Sequence, residues 1–216
     1  MTHRYLVTGT DTDVGKTRIT AALALALRAA AMSPVIVKLV QTGVRDNEAG
    51  DAQHAGELAG CAYMEVARFF KAADPWSAAL ADGLPPVRGA DIKLVVDSIA
   101  GPIVAEGAGG IAVPLNREQT FLDVAQLCEL TAVVVIGLRL GCINHALLTA
   151  ASLRERGVPV AGAVLCERWE ATSAAYREDV TRGLQGKLDV LGILPFDADE
   201  RRSVERGAQI FKGMIG

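Results

Sequence analysis

The chain has 216 residues, half of them hydrophobic and few aromatic, with a formal net charge of −3. That length suits one domain over residues 1–216 with a sizeable core, and the aliphatic mix fits strands buried between helices. The mild acidity, with no block of like charge, excludes a basic nucleic-acid footprint, so no nucleic-acid partner is expected.

In chain order, residues 4–8 read as a short buried strand, followed by a Gly/Thr/Asp turn and an Ala/Leu-rich helix over 16–32. Ser33-Pro34 stops that helix, and the aliphatic run 35–40 is the next strand. Residues 46–60 turn from polar to helical, while Pro75 and the pair Pro85-Pro86 mark irregular connections. A helix over 90–99 ends at Gly101-Pro102, and a strand over 103–106 runs into the cluster Gly107-Ala108-Gly109-Gly110. Helix 121–129, strand 132–138, helix 143–156, strand 160–166, helix 173–183 and a last strand over 189–194 complete the pattern. No amphipathic C-terminal helix is expected beyond Pro195. Strand–helix alternation throughout predicts an α/β fold: one doubly wound, mostly parallel sheet with helices on both faces.

Cys61, Cys128, Cys142 and Cys166 form no C-x-x-C pair and have no histidine at zinc-site spacing. They read as reduced cysteines of a cytoplasmic protein. The N-terminus shows no basic segment followed by an apolar one, so no signal peptide is expected. The apolar stretch 21–32 is flanked by Arg18, contains Arg28 and is too short to span a bilayer, so no membrane partner is expected.

The strongest signal is Gly9-Thr10-Asp11-Thr12-Asp13-Val14-Gly15-Lys16-Thr17, between the first strand and the first helix. Glycine lets successive N–H groups turn toward a phosphate, and the helix N-terminus adds its positive dipole end. Lys16 would reach the β- and γ-phosphates of ATP, and the Thr17 hydroxyl would hold Mg²⁺. Five residues separate Gly9 from Gly15, where the usual motif has four before its Gly-Lys-Thr. Asp11 stands where the partition-type and nitrogenase-iron-protein-type ATPases carry an extra lysine, which argues against those nucleotide switches. Such a partition-type switch ATPase is nevertheless the alternative reading. An acidic loop residue such as Asp13 suits a substrate bearing amines.

Three more segments stand in order along the chain: Lys38-Leu39-Val40-Gln41-Thr42-Gly43, Glu106-Gly107-Ala108-Gly109-Gly110 with Val113-Pro114-Leu115, and Gly141-Cys142-Ile143-Asn144-His145. Lys38 and Glu106 each end a strand, at the edge where α/β sheets bind ligands. On position alone Lys38 is equally a core-edge lysine, and Asp51 reads as an ordinary helix cap. With the glycine loop, the segments resemble the dethiobiotin synthetase family over roughly residues 4–165, and loosely beyond. A related synthetase of the cobyrinic acid diamide type shares the loop and the Glu-Gly-Ala-Gly run, but carries a glutaminase domain for which this chain is too short.

The resemblance implies an ATP-dependent ligase that joins 7,8-diaminononanoate and CO₂ into dethiobiotin, with Mg²⁺ as cofactor and a homodimer sharing its sites. It implies Lys38, Lys16 and Thr12 as the catalytic groups, and Asp13, Val14, Gly15, Lys16 and Thr17 as the nucleotide cradle. Glu106, Gly107, Ala108 and Gly109 line the nucleotide, with Cys166 and Pro195 near its base. Thr17, Asp51 and Glu106 hold the metal. Thr12, Asp13, Lys38 and Thr42 hold the substrate together with Gly141, Cys142, Ile143 and Asn144, the last four contributed from the neighbouring subunit to the carboxylate tail. Leu39 replaces the family's proline, and Cys166 replaces an asparagine that reads the adenine edge. Cysteine cannot donate and accept as an amide does, so looser base selection is expected. His145 is expected to pack rather than to catalyse.

Overall fold

The computed structural model describes residues 3–168 and 170–215. Its main sheet has seven strands in the order β4-β2-β6-β1-β7-β8-β9, with every neighbouring pair parallel. In chain order these are β1 (Arg4–Gly9), β2 (Val35–Lys38), β4 (Ala62–Glu65), β6 (Ile103–Gly110), β7 (Thr131–Gly137), β8 (Val160–Cys166) and β9 (Val190–Leu194). A separate two-stranded ribbon pairs β3 (Gln41–Thr42) with β5 (Arg68–Phe69).

Residues alternate between two buried faces because successive strand side chains point to opposite sides. Tyr5, Val7, Val133 and Val135 pack against α1 (Lys16–Ala29), α2 (Asp51–Ala59) and α8 (Glu200–Ile210). Leu6, Ala132, Val134 and Ile136 pack on the other face. That face is covered by α4 (Gly89–Ser98), α5 (Phe121–Leu127), α6 (Cys142–Glu155) and α7 (Ala174–Leu184), with the shorter α3 (Pro75–Ala81) nearby. Burial on both faces explains why the strands read as continuous aliphatic runs, and the doubly wound expectation holds.

Several expectations needed correction. The first helix ends at Ala29 rather than Met32, where Ala31 takes a left-handed φ of 60°. The sixth strand continues through the glycine cluster to Gly110, since glycine there does not interrupt pairing with Gly9. Pro75 opens a helix instead of an irregular turn: Asp74 caps α3 and proline occupies its first turn, where no N–H is needed. The edge strand β4 and the ribbon β3–β5 are too short to carry a periodic signal.

The largest correction concerns the C-terminus. Helix α8 is present and amphipathic, followed by a single turn, α9 (Lys212–Ile215). Its apolar face (Val204, Gly207 and Ala208) is buried against α1 in the core, so it offers no free hydrophobic face. Asp199 caps the helix, and Asp197 just before it takes hydrogen bonds from Arg202 that hold its carboxyl down at a pKa of about 2. Among the described residues no helix is long and apolar enough to cross a membrane.

Close approach of α8 to α1 depends on Gly207, where an added Cβ would stand 2.8 Å from the Ala22 methyl. Gly207→Val is expected to lower stability by about 1–3 kcal/mol through overpacking. Urea denaturation checks this, and an unchanged midpoint would contradict it.

Candidate active site

The carboxyl ends of β1, β2 and β6 open into a cleft of about 870 Å³. Its floor is the loop between β1 and α1. Gly15 adopts φ 103°, and a Cβ there would lie 2.6 Å from the Cys166 sulfur. Conformation and space therefore both require glycine at this position. Asp13 also takes the left-handed region, with φ 55°. The first turn of α1 carries no acidic residue, leaving its positive end free for an anion. Lys16 curls back over the loop, its Nζ donating to the Asp11 carbonyl at 3.0 Å. Burial depresses its pKa and nearby Lys38 adds to this, with Glu106 and Asp51 opposing.

Lys38 and Glu106 are register partners on adjacent parallel strands, so their side chains rise on the same face of the sheet. Lys38 Nζ donates to Glu106 Oε1 at 2.7 Å and to the Asp51 carboxylate, with the Gly107 carbonyl at 3.2 Å. Lys38 and Glu106 are 3% and 1% exposed, which makes this a buried charge pair. Burial works against the Lys38 ammonium, but Glu106 and Asp51 outweigh it and raise its pKa above the ordinary value. Burial likewise works against the Asp51 carboxylate, and Lys38 more than offsets it, so its pKa falls below the ordinary one. Gln41 fixes Asp51 at the helix start by accepting the Asp51 N–H at 2.8 Å.

Thr17 Oγ1 donates to Glu106 Oε1 at 3.1 Å, while Glu106 Oε2 is buried with no hydrogen-bond partner. A hydroxyl beside two carboxylates, one with an uncommitted oxygen, fits Mg²⁺, which takes oxygen ligands and is usually held by one or two carboxylates plus substrate phosphates. Among the described residues no group of three or more His, Cys, Asp or Glu side chains forms a metal cage. The residues present suit an ion shared with a nucleotide.

Of the expected site residues, Thr12, Asp13, Gly15, Lys16, Thr17 and Lys38 line the cleft, as do Thr42, Asp51, Glu106, Ala108 and Gly109. Val14 is buried and packs against Gly9 and Gly137, so it shapes the loop from beneath. Gly107 lies over the Phe121 ring and reaches the site through its carbonyl on Lys38. Cys166 does not line the cleft: its thiol is buried under Gly15, and burial pushes its pKa up to about 11. Pro195 is also absent from the lining. Gly141, Cys142, Ile143 and Asn144 stand apart from this chain's own cleft, at the start of α6, where Cys142 is buried 3.7 Å from the Tyr176 hydroxyl.

The cleft also includes Gln41, Arg18, His54, Arg168 and Glu200, none of which was expected. Gln41 lies inside a motif already singled out, and His54 follows Asp51 by one helical turn, so both had a signal. Arg168 had only its place two residues after Cys166, and Glu200 had no signal, because the resemblance is loose beyond residue 165.

This loop, on this sheet, defines a P-loop nucleotide-binding α/β protein. Solved structures share that fold. The septum site-determining protein MinD of Pyrococcus horikoshii OT3, complexed with Mg-ADP, matches with a TM-score of 0.59 at 18% identity, covering 100% of this chain and 95% of that one. A ParA family ATPase of Chlorobium tepidum TLS matches with a TM-score of 0.56 at 12% identity, covering 98% and 92%. At such identities the likeness is one of fold alone. The sequence relatives are more specific. A family model described as AAA domain matches residues 3–202. The ATP-dependent dethiobiotin synthetase BioD of Rhodococcus jostii (strain RHA1) is 38% identical over 210 residues, covering 94% of this chain and 90% of the relative. The protein of the same name in Novosphingobium aromaticivorans is 40% identical over 201 residues, covering 88% and 89%. The chain belongs to the ATP-dependent dethiobiotin synthetase family and is accordingly an ATP-dependent ligase.

Lys38→Met leaves the Glu106 carboxylate buried without its partner, and is expected to cost about 3–5 kcal/mol of stability. Adding Glu106→Gln should restore much of it. The Asp51 part of the network has a defined pH window. Its folded pKa is depressed, so its contribution is present above the unfolded value of 3.8 and lost as pH falls through the folded one. Denaturation midpoints of the three proteins check this, and a single variant as stable as the parent would contradict it.

Proposed function

We propose that the chain converts 7,8-diaminononanoate, CO₂ and ATP into dethiobiotin, ADP and phosphate, as one domain acting in a homodimer. The observation that carries this reading is the convergence of Lys16, Lys38, Thr17, Glu106 and Asp51 on one cleft at the carboxyl edge of the sheet, in a member of this family.

One amine adds to CO₂ and loses a proton, giving a carbamate. A carbamate oxygen then bonds to the γ-phosphorus as the bond to ADP breaks. The second amine attacks the carbamoyl carbon, expels phosphate and loses a proton, closing the cyclic urea. The chemistry asks the protein for alignment and for charge complementary to the phosphoryl oxygens. Lys16 Nζ, now resting on the Asp11 carbonyl, is within the loop that cradles the β- and γ-phosphates. Lys38 Nζ, held by Asp51 and Glu106, lines the same cleft as that loop and Thr42, suited to the carbamate and the transferring group together. The Thr12 and Thr42 hydroxyls orient the carbamate, and the Asp13 carboxylate orients the diamine. Thr17, Asp51 and Glu106 would hold Mg²⁺, which would neutralise charge on the phosphoryl oxygens. Gly141, Cys142, Ile143 and Asn144 would take the substrate's carboxylate tail in the partner's site; the Cys142 N–H is held by the Arg139 carbonyl at 3.0 Å, which leaves the N–H groups of Ile143 and Asn144 at the start of α6 for the tail. The exposure of Leu140 and Leu148, on and beside α6, supports a partner there.

Purified protein supplied with 7,8-diaminononanoate, bicarbonate, Mg²⁺ and ATP is expected to form dethiobiotin, followed by mass spectrometry. Lys16→Ala and Lys38→Ala should each lower turnover by at least about 100-fold, with the fold retained by circular dichroism. ATP hydrolysis indifferent to the diamine, with no dethiobiotin, would contradict the proposal and favour a nucleotide switch.

A further inference from the structure

The cleft has two ends on either side of the phosphate loop. Thr42, Gly43 and Val113 follow strands on one side of β1 in the sheet, whereas Arg168 follows β8 on the other, with Arg18, Glu200 and His54 clustered beside the start of α1. A triphosphate cradled by the loop amides leaves its nucleoside at the second end, beside the start of α1. Two of the groups there are arginines. Glu200 is already committed: its Oε1 accepts from Arg18 at 3.2 Å and its Oε2 lies 2.9 Å from His54 Nε2. Arg168, half-buried at the exit of β8, makes no ion pair with a described residue. Its neighbour Glu167 is turned inward and held by Thr172 and the Phe196 N–H, which fixes the chain on which Arg168 stands.

A base edge is distinguished by a side chain that donates and accepts together, above all an amide. Among the described residues lining the cleft, the one such amide is Gln41, which is at the opposite end and occupied with Asp51 and Thr42. The Cys166 thiol is sealed under Gly15. What remains at the nucleoside end is the Arg168 guanidinium, with no ion-pair partner among the described residues. A nucleoside carries no negative charge, so the natural partner for that group is the π-face of the ring, which every base possesses.

We propose that Arg168 is a nucleotide-binding residue that lies against the face of the base, and that this chain therefore holds nucleoside triphosphates with little regard to which base they carry. This rests on reading the cleft as the nucleotide site of the ligase and adds the means by which the nucleoside is held.

The test is equilibrium binding without diamine, by displacement of a fluorescent ADP analogue with ATP, GTP, CTP and UTP in the presence of Mg²⁺. The wild-type protein is expected to bind all four within about tenfold of one another. Arg168→Ala should weaken each in parallel by about three- to thirty-fold, and should leave affinity for inorganic triphosphate unchanged. Discrimination beyond 100-fold in favour of one base would overturn the proposal, as would undiminished affinity in Arg168→Ala. Loss of triphosphate affinity in that variant would also overturn it, by placing the guanidinium on the phosphates. Failure of the wild-type protein to bind any nucleotide would instead count against the functional reading itself.

Discussion

A lysine ammonium and a glutamate carboxylate buried side by side at the end of two strands are the constraint around which this molecule is organised. Lys38 and Glu106 are almost wholly removed from water, and neither charge is tolerable there without the other. A pair of this kind adds little net stability over a well-packed apolar pair, because desolvation offsets most of the attraction. Its value is positional. It holds a cation and an anionic oxygen a few ångströms from the phosphate loop, in surroundings where charge acts strongly.

The topology supplies the rest. Because β6 lies between β1 and β2, the residues that end those three strands rise on one edge, and parallel register brings Lys38 level with Glu106. The loop leaving β1 then passes directly over the pair, so Thr17 reaches Glu106 across 89 residues of sequence. Helix α2 presents Asp51 from the side, held by Gln41 of the short ribbon. Helix α8 closes the same face by packing on α1, and its first residue, Glu200, enters the cleft. Packing and chemistry are thus joined in single elements.

Much of this was legible in the sequence, and for physical reasons. The buried strands announce themselves because both faces are covered, and the loop residues are confined by backbone geometry that glycine alone satisfies at Gly15. What sequence hid were features set by non-local contacts. Cys166 ends the strand beside the cleft, yet register turns its thiol under the loop instead of toward a ligand. Helix α8 spans a charged stretch with three buried side chains on one stripe, a weak signal until α1 is present to cover it. Arg168 and Glu200 lie far apart in sequence and line one cleft only because β8 ends and α8 begins at the same edge.

The claim that a carbamate accepts the γ-phosphoryl group in this cleft is tested most directly by the fate of oxygen from CO₂. In a single turnover with ¹⁸O-labelled CO₂ in unlabelled water, the account predicts that the phosphate released carries one CO₂-derived oxygen, at the same enrichment as the carbonyl of dethiobiotin. Labelled dethiobiotin accompanied by unlabelled phosphate would contradict it, since the phosphoryl group would then have passed to water and the ring would have closed by another route.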